Sequence, residues 1–192
     1  GVSAASGLSS LAFLEVARGI GAATSEIVKF NAKVADAQAD VARTANLSIG
    51  QVQELTDKLK GLDTRTAIID LLKIGEVLGK LGVETTPQVI AAMDKLNVAL
   101  NTEFGSDTEK IVETVGKLKN LFTEFNNNKP EDAYLKIGNA LVTLANSGAS
   151  SAPIISEFSK RIAGTVGSFG LSAGQILGVS ATLEELGTTA YR

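Results

Sequence analysis

Seven successive stretches of this chain set apolar residues three and four positions apart, and no stretch alternates with period two over a useful length. The first stripe is Val52, Leu55, Leu59 and Leu62. Ile68, Leu71, Leu72, Gly75 and Leu78 follow, then Val89, Met93, Leu96 and Leu100. Ile111, Val115, Leu118, Phe122 and Phe125 form the cleanest stripe. The last three run through Tyr134, Ile137, Leu141, Leu144 and Ala145; through Ile155, Phe158, Ile162 and Val166; and through Ile176, Val179, Leu183 and Leu186. Spacing of this kind gives each segment one apolar face as a helix and none as a strand. The expected fold class is therefore all-α, with about seven to eight short amphipathic helices in a bundle or helical-hairpin array. A coiled-coil-like N-terminal helix precedes them. The expected division is residues 1–46 for that helix and 47–192 for a helical core domain.

The N-terminal helix carries a heptad pattern. Ile20, Ile27, Val34 and Val41 recur every seven residues, and Ala23, Phe30, Ala37 and Thr44 each follow by three. These are a and d positions. Two structures satisfy them: self-association through Ile20, Ile27, Phe30, Val34 and Val41, or packing onto the rest of the same chain. The pattern alone leaves both open.

Helix starts are marked by their chemistry. Ser48 and Gln51 have capping-box spacing, as do Ser106 with Glu109 and Ser172 with Gln175. Thr86 then Pro87 reads as an N-cap followed by proline in the first turn, and Ser151-Ala152-Pro153 is similar. Pro130 precedes Glu131 and Asp132, where negative charge suits the positive end of a helix. Asn126 to Pro130 reads as a polar break. Gly61, Gly82 and Gly170 follow apolar runs, as C-caps do. Gly75 with Gly79, and Gly174 with Gly178, lie four apart and invite close helix approach.

An internal repeat is suggested by three echoes. Leu72-Lys73-Ile74-Gly75 returns as Leu135-Lys136-Ile137-Gly138, 63 positions on (135 − 72). Leu47-Ser48-x-Gly50-Gln51 returns as Leu171-Ser172-x-Gly174-Gln175, 124 positions on (171 − 47). The Thr86-Pro87 start returns as Ala152-Pro153, 66 positions on (152 − 86). A tandem three-helix unit accounts for all three. Chance convergence of short capped helices is the alternative.

Composition narrows the chemistry. The 192 residues include no Cys, no His and no Trp. Disulfides, Cys/His zinc sites and Ser-His-Asp or Cys-His catalysis are thereby excluded. A net charge of −3 gives no basic footprint for specific nucleic-acid binding. Aromatics are 5% of the chain, so its core must be built mostly from Leu, Ile, Val and Ala. Gly75 to Lys80 has three residues between its glycines and Leu81 after the lysine, which is not a phosphate-binding loop. Glu131/Asp132 and Glu184/Glu185 are adjacent pairs that diverge on a helix and form no acid–base dyad. No catalytic residue, cofactor site or metal site is expected. The uncharged stretch Ile162 to Leu183 is long enough to raise a membrane question, but Ser172 and Gln175 interrupt it with a helix start. The chain begins with Gly1 and its one methionine is Met93, so it is expected to be a processed product or a piece of something longer.

Gly61-Leu62-Asp63-Thr64-Arg65-Thr66, then Leu71 to Gly75 and Gly79 to Val83, resemble the core region of phage tail tape-measure proteins. Phe158 to Gly164, Gly170 to Ala173, Leu183 to Gly187 and Thr188-Thr189-Ala190 extend the resemblance, which covers roughly Leu47 to Arg192. The resemblance implies a structural role in a phage or prophage. Such proteins lie in the tail lumen, set tail length, and template tube assembly in the bacterial cytoplasm. Tail-tube and tail-tip proteins and tail assembly chaperones would be the partners, with membrane contact confined to infection. The family brings no catalytic residues. Two other readings of the same residues are a generic helical scaffold or adaptor, and a membrane-active helical protein.

Overall fold

The computed structural model describes residues 5–147, 150–166 and 171–185. Side chains of residues 5–23, Thr123, 164–166 and Glu184 lie outside that description. Among the described residues there are eight α-helices and no strand. They are α1 (Ala5–Thr44), α2 (Ile49–Lys60), α3 (Ile68–Lys80), α4 (Pro87–Leu100), α5 (Thr108–Leu121), α6 (Pro130–Asn146), α7 (Ala152–Val166) and α8 (Ala173–Glu185). The chain is all-α.

Local chemistry explains most boundaries. At α2 the Gln51 N–H donates to Ser48 Oγ at 3.3 Å, and the Ser48 N–H donates back to Gln51 Oε1 at 2.9 Å. Ser172 and Gln175 repeat this pair at the start of α8 with the same two distances. Thr86 Oγ1 accepts from the Val89 N–H at 3.3 Å, and Pro87 opens α4. Pro130 opens α6, with Glu131 and Asp132 in its first turn. At the end of α3, Gly82 has φ +68°, and its N–H donates to the Gly79 carbonyl while Val83 donates to Leu78, both at 3.0 Å. That is a Schellman stop, and only glycine adopts its left-handed turn cheaply.

Several sequence expectations are corrected here. The N-cap of α5 is Asp107, whose carboxylate accepts from the Lys110 N–H at 3.0 Å. Ser106 has φ +64° and lacks the extended backbone that an N-cap needs. Helix α5 ends at Leu121, so Phe122 and Phe125 lie beyond it, in extended backbone and a 3-10 turn. Both stay in the core, edge-on to each other with ring centroids 6.4 Å apart. Gly61 is the C-cap of α2, as expected, and holds that place with φ −86° rather than a left-handed turn. Gly170 and Leu186 lie outside the described residues, as does the Val166 side chain.

Gly75 and Gly79 do permit close approach. A Cβ on Gly79 would sit 2.6 Å from the Ala45 nitrogen and 2.7 Å from the Thr44 carbonyl carbon. One on Gly75 would lie 3.2 Å from Ile90 Cδ1 and 3.6 Å from Val41 Cγ2. The small residues let α3 lie directly on the end of α1. Gly174 and Gly178 play no such part: among the described residues nothing lies within 4 Å of a Cβ at Gly178, and only the nearby Ser172 hydroxyl approaches one at Gly174.

The packing repeats. Helix α1 contacts α2 and α3; α4 contacts α5 and α6; α7 contacts α8. Helix α2 contacts α3 and α4, as α5 contacts α6 and α7. Helix α3 reaches forward to α4 and α5, as α6 reaches to α7 and α8. Advancing every helix by three maps each contact onto another. The sequence echoes fall on helices made equivalent in this way: α3 with α6, the starts of α2 and α8, and the starts of α4 and α7. In register, Ser48, Asp107 and Ser172 begin the second helix of each unit, and Val52, Ile111 and Ile176 are each buried four residues on. One continuous hydrophobic core runs through the units, from Val41 to Ala181. Each unit covers part of its neighbour, the arrangement by which stacked repeats stabilise one another.

Candidate functional site

The five heptad positions divide. Ile27 and Phe30 are 60% and 47% exposed, and Val28 beside them is exposed as well. Val34 is half-buried against the core. Val41 is fully buried against Gly75 of α3 and belongs to the intramolecular core, so it is not open to a second chain. The Ile20 side chain lies outside the described residues. The repeat of seven therefore serves two purposes. Its end anchors α1 to the fold, and its middle presents an apolar ridge flanked by Glu26 and Lys29, whose charged groups are 3.7 Å apart.

The second candidate is the loop at Gly61 to Thr66, between α2 and α3. Its backbone turns through a Thr64 N–H to Leu62 carbonyl bond of 3.0 Å. Thr64 Oγ1 accepts from the Thr66 N–H at 3.1 Å and donates to Asp94 Oδ2 at 2.6 Å. Thr66 Oγ1 donates to the other Asp94 oxygen at 2.5 Å. Asp94 is buried in α4, so its two hydroxyl donors supply the hydrogen bonds that a buried carboxylate requires. Both oxygens are engaged in tying the loop to α4. Beside this tie lies an open groove of about 640 Å³, lined by Leu62, Asp63, Arg65, Ala91, Lys95 and Val98. Its rim mixes both charge signs around apolar walls, and the Thr64 and Thr66 hydroxyls that face it are already engaged by Asp94.

A charge network joins α3 to α5. Glu76 meets Lys80 at 2.8 Å and Lys73 at 2.9 Å, and both lysines reach Glu109 at 3.5 and 3.8 Å. Burial alone would raise the Glu76 carboxyl, but hydrogen bonds and charge from Lys80 and Lys73 outweigh it and hold Glu76 below the usual carboxylate range. The network is a helix–helix tie.

No protein-family model, curated protein or solved structure matches this chain. The functional reading therefore rests on residues and geometry.

Among the described residues no group of three acidic side chains could hold a metal ion, and no helix is long and apolar enough to cross a membrane. The uncharged stretch from Ile162 to Leu183 is divided between α7 and α8. Glu131 and Asp132 sit in the first turn of α6, while Glu185 is exposed at the end of α8. Sequence reasoning missed Asp94, Glu103 and Glu124. Asp94 interrupts an apolar stripe between Met93 and Leu96, a signal that a polar partner lies opposite. The two glutamates work as distant helix caps and leave no local trace.

Proposed function

We propose that this chain is a structural assembly module of a phage tail tape-measure protein. It would act in the tail lumen after assembly in the bacterial cytoplasm. The observation that carries this reading is the form of α1. Its 40 residues make a rod of about 60 Å, and its last turns are built into the first three-helix unit. Ile27, Val28 and Phe30 face solvent on the free part. A rod joined rigidly to a stacked helical module suits a protein that works by length and by lateral contact. The resemblance at Gly61 to Thr66 supports the same reading, because those residues build a fixed loop beside an uncommitted groove. In this role the ridge on α1 meets another helical rod, and tube subunits, the tail tip or assembly chaperones meet the units.

Peptide mapping of purified tail particles by mass spectrometry tests the proposal. The expected result is this sequence inside a tail protein several times longer than 192 residues. A native product that ends near Arg192 and is missing from tails would overturn it. The exposed ridge would then favour the second reading, a helical scaffold or adaptor outside the virion.

A further inference from the structure

In the first two units a third helix packs against the other two: α3 on α1 and α2, and α6 on α4 and α5. Leu96 of α4 is 2% exposed beneath Gly138 of α6. Leu55 of α2 and Thr114 of α5, which occupy one position of the repeat, are each 5% exposed. The third unit has α7 and α8, and among the described residues no third helix lies on them. Its equivalent side chains are correspondingly more exposed. Val179, in register with Leu55 and Thr114, is 45% exposed. Ile162, in register with Leu96, is half-buried, and so is Leu183, in register with the buried Leu59 and Leu118. Ile155 and Ile176 remain buried like their counterparts Val89 and Ile111.

We propose that the face of the α7–α8 pair that carries Ile162, Val179 and Leu183 is a docking site for one partner: an amphipathic helix of the α3/α6 type. The repeat specifies that helix. Both resident examples carry Leu-Lys-Ile-Gly, with the isoleucine buried at Ile74 and Ile137. Gly138 lies directly against Leu96 of the first helix of its unit, and a Cβ at Gly75 would meet Val41 of α1 at 3.6 Å, behind Ile90 and Thr85 at 3.2 and 3.3 Å. An incoming helix with a small residue at that point can bring its backbone down on Ile162, and its isoleucine completes the core. This is helix-in-groove recognition continuing an interface already used twice in the chain. It rests on packing alone and is independent of the tail-assembly reading.

The test uses a fluorescent peptide with the α6 sequence, residues 129–147, titrated with the whole chain and read by anisotropy. Saturable binding is expected, weakened at least about tenfold by Val179→Asp or Ile162→Asp in the protein and by Gly138→Leu in the peptide. Val179→Ser serves in place of any variant whose circular dichroism shows unfolding. No saturable binding up to about 1 mM overturns the proposal. Equal binding to wild type and Val179→Asp also overturns it, since the peptide would then be exchanging with the resident α6. So does a concentration-dependent dimer that Val179→Asp dissociates, because the face would then belong to a second copy.

Discussion

The carboxylate of Glu103, in the loop after α4, accepts a hydrogen bond from the Ala152 N–H at 3.2 Å and so caps α7 from 49 residues away. Glu124, after α5, does the same for the Ala173 N–H at the start of α8, at 3.1 Å. Both helices of the third unit thus begin against an acid supplied by the second. Free backbone N–H groups and the positive end of the helix dipole favour a carboxylate there. These caps fix where the third unit sits on the second.

Removing one cap should loosen one helix without unfolding the protein. Glu103→Ala is expected to cost about 0.5–2 kcal/mol, toward the low end because Glu103 is exposed. Hydrogen exchange should speed up in the first turn of α7 while α2 and α3 keep their protection. Glu124→Ala should move the effect to α8. Uniform loss of protection across all helices would mean that the units do not open separately.

Asp94 is the more expensive tie. Asp94→Ala leaves the Thr64 and Thr66 hydroxyls without their acceptor and frees the loop from α4. Hydrogen bonds to a charged group contribute about 1.5–3 kcal/mol each, and a denaturant midpoint measurement should show a loss of at least that size. Asp94→Asn, which keeps an acceptor oxygen, should lose less. Equal losses for the two variants would mean that the hydroxyl bonds carry little of the stability.

The tie also marks where sequence reading stops. Ser48, Thr86 and Ser172 could be read as caps because their partners are three residues away. Thr64 and Asp94 are 30 positions apart, and only the fold brings them together. Ser106 looked like a cap by spacing, but the left-handed turn after α4 moved the cap one residue on. The heptads were legible as apolar periodicity, and periodicity does not name the partner: Val41 found α3, while Ile27 found solvent. Phe158 and Val179 fell on helical stripes, yet the serines Ser156, Ser159 and Ser180 are buried more deeply than either. Each of those serines returns its hydroxyl to a carbonyl four residues back at 2.7 Å, and Ser159 meets Ser180 at 2.9 Å across α7 and α8. Hydropathy cannot anticipate polar side chains that satisfy themselves within the helix.

Two glycine substitutions should act in opposite directions. Gly79→Ala places a methyl group against the α1 backbone, which cannot step aside as a side-chain tip can. Overpacking costs about 1–3 kcal/mol, and the gain of about 1 kcal/mol in helix propensity offsets only part of it. Gly178→Ala meets nothing within 4 Å among the described residues and should stabilise α8 by about 0.4–1 kcal/mol. Thermal melts of both variants check the pair. A stabilised Gly79→Ala protein would mean that α1 and α3 are less closely packed.

The divided heptad predicts a division of phenotype. Ile27→Asp with Phe30→Asp should change stability by no more than about 0.5 kcal/mol, because both side chains already face solvent. Val41→Asp puts a charge into a buried apolar site and should abolish cooperative folding. If α1 mediates self-association, sedimentation velocity will show the double variant with lower mass than wild type at equal concentration. Identical masses would assign the ridge to a different partner.

Tyr134 provides a pH-dependent readout of the core. It is buried in α6, and burial raises its phenol from the ordinary value near 10 to about 12. Because the folded value lies above the unfolded one, the stabilisation tied to the neutral phenol is complete below about pH 10 and is lost as pH rises toward 12. The chain has two tyrosines and no tryptophan, so a Tyr191→Phe variant makes Tyr134 the only phenol. Its phenolate absorbance should stay silent well past pH 10 and appear together with loss of helical circular dichroism. Tyr134→Phe should remove this step, leaving the protein more resistant to alkali than wild type. Phenolate formation near pH 10 with helicity intact would place Tyr134 in contact with solvent and refute the packing assigned to α6.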